Sequence, residues 1–437
     1  MAFLACSLGA TGAVSRYVAE FSSDAVKLTA FIQKWQPWAL VLPVLAGGAV
    51  LVGAWMSGLT FDLISVLFLV LWAVASAAWA MQTAALTGFQ RFDLIFYANL
   101  LAAGTMLAGV FVLPLSPDNP AILFVLMAAA VGMAALLGLS ETHRVKGAVS
   151  VSLGVDQWQS IRRYALNMWL IALLWALLWS RGELPLVRSF MGDAGVASYA
   201  AVLTLFGGAI QGVMLGVSAV APQLTRLWGE GRQDAALAMA RSVMDLQLLV
   251  CGGAAIVLIC FGPELMELAF GARYRAQAET LAILSVALVS MALSNQNHLL
   301  QIATNGRFSR NASLVGLAVL MALAFVLIPM FGVLGAALAR AITMIFLALI
   351  SIIAVIRMWR VTSLSMRNLA GVITIVGLCL SVALLFPLHD AVTRIGILFG
   401  SFVLLALAVR DEAGMLKART VVWTIWHSLP ALICQRQ

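Results

Sequence analysis

Charge is scarce in this chain. Of its 437 residues only 10% are Asp, Glu, Lys or Arg, against 63% that are hydrophobic. A water-soluble domain carries about 25% charged residues, so this sequence could not clothe a water-facing surface. That excludes a soluble enzyme and a disordered tail. It also excludes a nucleic-acid module, despite the net charge of +8. Histidine is nearly absent, with four residues. The five cysteines (Cys6, Cys251, Cys260, Cys379 and Cys434) are scattered, mostly in apolar runs. No Cys-x-x-Cys or Cys/His cluster occurs, so neither a disulfide framework nor a metal site is expected, and no cofactor is implied. Long polar segments are lacking too. The two longest, near 141–163 and 222–243, are too short to hide an extramembrane domain.

Apolar runs fill the rest. A bilayer core takes roughly 20 apolar residues per helix. By that measure there are thirteen candidate spans, near 2–19, 37–57, 63–87, 93–114, 120–139, 164–181, 196–220, 244–263, 280–303, 311–331, 333–356, 368–387 and 391–409. Lys and Arg set their orientation. With basic residues at run ends counted in the adjoining loop, twenty of the 26 fall in odd-numbered loops or the C-terminal tail and five in even-numbered loops, while Arg340 lies well inside a run. Basic residues collect on the cytoplasmic side, so the odd loops and the C-terminus are expected inside. The first residue would then be outside, where Met1 opens abruptly in an apolar helix without a basic flank or signal-peptide pattern. One more helix upstream would restore an inside N-terminus and make fourteen spans.

The basic loop 141–163 divides the chain. The expected organisation is an incomplete N-terminal bundle over 1–140, a cytoplasmic linker over 141–163, a six-helix bundle over 164–356, and two extra helices with a tail over 357–437. Six plus six plus two is a typical arrangement of transporters built from two bundles. The tail segment 420–433 is too short to span comfortably and is expected along the interface. The Trp pairs, Trp35 with Trp38 and Trp175 with Trp179, read as interface belts or packing.

Several segments match a known family in order. They are LGATGAVSRYVAEF (8–21), GFQRF (88–92), RGELPLVRSFMGDAGVASYA (181–200), VAPQLTRLWGEGR (220–232), FGARYRAQAETLAILS (270–285) and IPMFGVLGAALARAI (328–342). The last carries a Pro-x-x-Gly-x-x-Gly-Ala-Ala turn joining two helices. Together they resemble the polysaccharide-transport branch of the multidrug/oligosaccharidyl-lipid/polysaccharide exporter superfamily, the Wzx-type flippases. The first helix of that family is the one departure. The resemblance implies an all-α polytopic membrane protein of two six-helix bundles plus two C-terminal helices. It implies a transporter of the bacterial inner membrane that flips undecaprenyl-pyrophosphate-linked oligosaccharide by alternating access, for O-antigen or exopolysaccharide assembly. Its partners would be that lipid-linked substrate, membrane lipids, and polymerase or other assembly proteins. No bond would be made or broken, and no nucleic acid is involved.

Such a substrate joins an anionic pyrophosphate and a polar glycan to a long apolar tail. Unpaired polar groups cost several kcal/mol each in hydrocarbon (about 2–7), so a polar cavity with cations is needed. Arg suits phosphate because its planar fork binds two oxygens at once. Arg340 leads the candidates. It lies roughly 10 Å into its run, at 1.5 Å per residue, and Ala336, Ala337, Ala339 and Ala341 leave room around it. The competing reading is a structural Arg bonding a neighbouring helix. Arg16, toward the inner end of the first run, either lines the cavity or snorkels to the interface. Arg181 has the same alternatives at the outer end of the sixth run, with Arg188 seven residues on. Glu183, the acid most deeply set in apolar sequence, stands where many family members carry an acidic residue. It would pair with an Arg on another helix or hold a coupling ion. Asn295 and Asn297, with Gln296 and His298, form a polar cluster that bonds between helices or lines the cavity. Asn167, Gln82, Asn99 and Gln211 are further uncharged candidates.

Two other classes compete. A cation-coupled drug antiporter of the same superfamily would want membrane-embedded carboxylates. Most of the 18 acids lie in loops or at run ends, leaving only Glu183, Glu264 and Glu267 to consider. A membrane enzyme such as a polymerase would want a large outer loop with reactive groups, and neither is present in this sequence. The protein is therefore read as a non-enzyme.

Overall fold

A computed structural model describes residues 10–21, 24, 26–32, 34, 41, 44–45, 47–48, 51–52, 63–112, 120–142, 154–175, 177–178, 182–359, 365–385 and 391–409. Among these residues the regular elements are all helical, and the chain is an all-α polytopic membrane protein. The helices are α1 (Ala10–Glu20), α2 (Leu63–Gly88), α3 (Phe92–Val112), α4 (Pro120–Thr142), α5 (Val155–Trp175), α6 (Leu184–Gly229), α7 (Gln233–Phe270), α8 (Ala278–Val286), α9 (Ser294–Ala303), α10 (Arg307–Trp359), α11 (Met366–Leu385) and α12 (Ala391–Ala408). Two 3-10 segments, Ala272–Gln277 and Ala287–Leu293, flank α8 and link α7 to α9. Most of the expected run at 37–57, the tail at 420–433, and Trp35, Trp38, Trp179 and Arg181 lie outside the described residues.

Seven described helical segments are long and apolar enough to cross a membrane. The two longest helices are each broken by a glycine. At 1.5 Å per residue the 53 residues of α10 would reach about 80 Å, far beyond a bilayer core of ~30 Å. Gly332, with φ of 60°, divides α10 into the two spans expected on either side of it. Gly192, with φ of 67°, divides a short leading piece of α6 from the rest.

The chain separates into two compact units. The first comprises Met1–Ala176, Ala221–Gly231 and Gln301–Arg310. In it α1 packs on α2 and α5, and α4 on α2 and α3. Small residues bring these helices close. A Cβ on Gly88 would stand 2.7 Å from Val18 Cβ, and one on Gly12 would stand 2.9 Å from Met168 Cε. Such close approach is the main source of helix association in lipid, where apolar burial drives little. Tyr17, Phe21, Phe31 and Tyr164 form an aromatic cluster in this core, with neighbouring ring centroids 5.6–6.0 Å apart.

The second unit comprises Leu177–Val220, Arg232–Leu300 and Asn311–Gln437. Its axis is α7, which packs against α8, both 3-10 segments, α11 and α12. A helix apolar all round belongs in such a central place. Cys251, Gly252, Gly253, Ala255 and Ile256 of α7 are all buried, and Gly252 admits Leu405 and Val372 to within 2.9 Å of where its Cβ would be.

Large apolar side chains such as Leu67, Phe96, Phe111, Leu268, Phe325 and Phe399 are exposed along the helices. Faces of that kind are stable against lipid and not against water. Hydroxyls along the same helices turn inward on their own backbone. Thr105, Thr204, Ser242, Thr343, Ser351 and Thr374 each donate to the carbonyl four residues earlier. That satisfies a polar group without a partner helix.

Candidate functional site

Two polar centres stand out, one in each unit. The centre of the second unit is built on Glu183, in the turn before α6, and Arg340, on the second half of α10. Arg340 Nε donates to Glu183 Oε1 at 2.6 Å and Nη2 donates to Oε2 at 2.7 Å. The Tyr199 hydroxyl, from α6, donates to Oε1 at 2.6 Å. The side chains of Arg340 and Glu183 are 1% and 0% exposed, and Tyr199 is buried as well. The alanines around Arg340 are buried and small, which makes space for the guanidinium. An isolated ion in this setting would cost several kcal/mol, and a two-pronged pair with a third hydrogen bond offsets that cost.

Tight turns bring these three together. A Cβ on Gly182 would lie 2.0 Å from the Leu177 carbonyl oxygen, so only glycine fits just before Glu183. A Cβ on Gly335 would lie 2.0 Å from the Leu327 carbonyl oxygen. Gly332 holds its positive φ against the Met191 methyl, 3.0 Å from its would-be Cβ. The Pro-x-x-Gly-x-x-Gly motif at 329–335 is thus a reversal whose glycines admit backbone and Met191 at close range. It presents Arg340 one turn beyond.

The centre of the first unit is built on Arg16, near the end of α1. Arg16 Nε pairs with Glu20 at 3.2 Å, and Nη1 donates to Asn305 Oδ1 at 3.1 Å. Its guanidinium lies over the ring of Tyr164 at 4.3 Å and that of Tyr17 at 5.1 Å. Asn305 belongs to the turn between α9 and α10. There Gly306 N–H bonds the Gln301 carbonyl and Asn305 N–H the Ile302 carbonyl, the double bond of a Schellman helix end. Asn305 and Gly306 take φ of 50° and 79°, and Asn is among the few residues that tolerate this region. Asn167 of α5 donates to the Asn305 carbonyl at 2.8 Å and accepts from Arg310 Nη1 at 3.0 Å. Gln301 donates to the Tyr164 hydroxyl at 3.3 Å. The α6–α7 turn reaches the same helix end, since a Cβ on Gly229 would lie 3.1 Å from Glu20 Cγ.

The other expected residues fall as follows. Asn295 is buried on α9 and donates to Gln247 Oε1 of α7 at 3.0 Å. That leaves Asn295 Oδ1 and Gln247 Nε2 without a partner among the described residues. Asn297 is half-buried, and its Oδ1 is likewise without a partner there. Gln296 donates to the Ala240 carbonyl at 3.1 Å. The structure therefore brings Arg340 to Glu183, and Asn295 to α7. Through Asn305 it links Arg16 to Asn167, a residue the sequence marks only as an uncharged candidate. Tyr199, Asn305, Arg310 and Gln247 escape the sequence reading. Tyr199 stands in the acidic-then-Gly-then-Tyr segment, and Asn305-Gly306 is an ordinary helix-stop signal. Arg310 counts in the sequence only as a loop cation. Gln247 carries no signal at all.

No family model matches this chain, and no curated protein matches it. Solved structures do. An outward-facing multidrug resistance MATE family transporter of the MOP superfamily superposes with a TM-score of 0.67 at 15% identity, over 81% of this chain and 84% of that one. The lipid II flippase MurJ, in an inward closed conformation, superposes with a TM-score of 0.57 at 14% identity, over 94% of this chain and 91% of that one. A MATE structure in complex with MaL6 gives 0.60 at 14% identity, over 81% and 84%. At these identities the likeness is one of fold: the chain is folded like MOP-superfamily transporters.

Proposed function

We propose that this protein is a flippase that moves undecaprenyl-pyrophosphate-linked oligosaccharide across the bacterial inner membrane by alternating access, for surface polysaccharide assembly. One observation carries the choice over a cation-coupled antiporter. Among the described residues Glu183 is the one carboxylate in the fully buried class, and both its oxygens are taken by Arg340. Glu183 therefore has no oxygen to spare for a coupling ion. A cation, by contrast, is available. Arg16 is 10% exposed and its one carboxylate partner is the 28% exposed Glu20, while its other contacts are a neutral asparagine and the rings of Tyr17 and Tyr164.

In this reading Arg340 and Glu183 hold the shape of their bundle, and Arg16 meets the phosphates. The fold shared with a lipid II flippase and with MATE transporters supports transport, and the sequence resemblance supports the polysaccharide branch. The basic asymmetry of the loops supports a cytoplasmic C-terminus and cytoplasmic α6–α7 and α9–α10 turns. Deleting the gene in its host tests the proposal. The expected result is loss of surface polysaccharide with lipid-linked intermediate accumulating, both restored by the wild-type gene. Unchanged surface glycan together with new sensitivity to cationic drugs would favour the antiporter instead.

A further inference from the structure

We propose that Lys34, Trp158 and Arg162 form a docking site for one anionic phospholipid of the bilayer, whose acyl chains lie along the exposed leucines of α5. The starting observation is a ring that holds two cations. Lys34 Nζ lies 4.6 Å from the centroid of the Trp158 ring, and the Arg162 guanidinium lies 5.6 Å from it. Trp158 packs against the aromatic core of the first unit, so the ring is a fixed platform. Lys34, Arg162 and the adjacent Arg163 are all exposed. Among the described residues none of these three cations makes an ion pair. The one acid of α5 is Asp156, two turns before Arg163 and not paired with it. A ring face attracts cations but carries no net charge. The excess of positive charge therefore stands uncompensated by the protein, and an anion relieves it.

The surface of α5 says which anion fits. Helical spacing puts Arg162, Leu166 and Leu170 on one stripe, while Ile161 and Tyr164 are buried on another side. Leu166 is 54% exposed and Leu170 is 37% exposed. At 1.5 Å per residue they lie roughly 6 and 12 Å beyond Arg162 along the helix. A soluble anion would meet the cations and leave these leucines bare. A phospholipid meets both, with its phosphodiester at the cations and its chains over the leucines. The proposed cargo shares the chemistry of a phosphate on an apolar tail. Membrane phospholipid, however, surrounds such a face at far higher concentration, and mass action favours it. Basic residues beside a span attract anionic lipid at the cytoplasmic surface, which is where the charge asymmetry of the loops puts Arg162.

Native mass spectrometry of the purified full chain tests this by counting bound lipid. The chain is titrated with phosphatidylglycerol, or with phosphatidylcholine of the same acyl chains. One phosphatidylglycerol is expected to bind more tightly than any that follow, and phosphatidylcholine should not replace it. Lys34→Gln and Arg162→Gln should each weaken that event about fivefold, the effect of one surface cation. The double variant should lose the preference for phosphatidylglycerol. Arg241→Gln, at an exposed cation of the second unit, should leave the event unchanged. Glycerol phosphate, the headgroup without chains, should not compete. The absence of a distinct tight event would overturn the site, and so would an equal loss in Arg241→Gln, which would reduce it to the general attraction of a basic surface. Competition by glycerol phosphate would overturn the role of the leucines. Displacement by undecaprenyl pyrophosphate at lower concentration than phosphatidylglycerol would overturn the phospholipid and assign the site to cargo.

Discussion

Arg340 and Arg16 lie in different regions of the molecule and are held in opposite ways. Arg340 meets a carboxylate prong for prong, sealed from solvent with a tyrosine on the same oxygen. Arg16 lies partly open between two tyrosine rings, with one edge on a neutral amide. The difference separates a charge that is already neutralised from one that remains available. A sealed pair is worth most to the shape of the protein, because removing one partner strands the other in a low dielectric. A cation held by a half-exposed carboxylate, one amide and two rings contributes less to shape, and can change partners.

The comparison breaks most directly at the pair. Glu183→Gln or Arg340→Met alone should each cost about 3–5 kcal/mol and sharply lower the amount of folded protein in the membrane. The double variant Glu183→Gln/Arg340→Met should recover much of that loss, because no unpaired charge remains. Thermal unfolding of the purified variants, treated as a double-mutant cycle, measures the coupling. A loss in the double variant equal to the sum of the two single losses would show that the two side chains act independently.

Two smaller changes sharpen the same side. Tyr199→Phe removes one hydrogen bond to a charged acceptor and should cost about 1.5–3 kcal/mol, read by the shift in unfolding temperature. Gly332→Ala forces a Cβ into a backbone region that glycine alone readily adopts and should cost about 1–3 kcal/mol, with the Met191 methyl obliged to move. On the other side, Arg16→Gln removes a partly buried ion pair and two cation–ring contacts and should cost about 1–2 kcal/mol, less than either change at the sealed pair, while transport falls at least tenfold.

Much of this fold is legible in the sequence, because a membrane span must be a long apolar run. The breaks at Gly192 and Gly332 are marked by glycines between such runs. The depth of Arg340 is legible for the same reason, since a charge inside a run has no water to reach. Its partner is not determined by one chain. Glu183 lies 157 residues away, and periodicity says nothing about which helices meet. The Arg16 network is harder still. Asn305-Gly306 is visible as a helix stop, and Arg310 as a basic flank, but both features are explained locally and so point to nothing beyond the turn. Gln247 sits among aliphatic residues of α7, and only packing against α9 gives it a partner.

The central claim is that Arg340 is neutralised for structure and Arg16 is kept for cargo. Reconstituting wild type, Glu183→Gln/Arg340→Met and Arg16→Gln into vesicles tests it. Flipping of a labelled undecaprenyl-pyrophosphate-linked oligosaccharide is measured per folded molecule. The account predicts that the double variant flips at near the wild-type rate per molecule and that Arg16→Gln does not flip. Retained flipping in Arg16→Gln, with loss in a folded double variant, would contradict it and return the phosphates to Arg340.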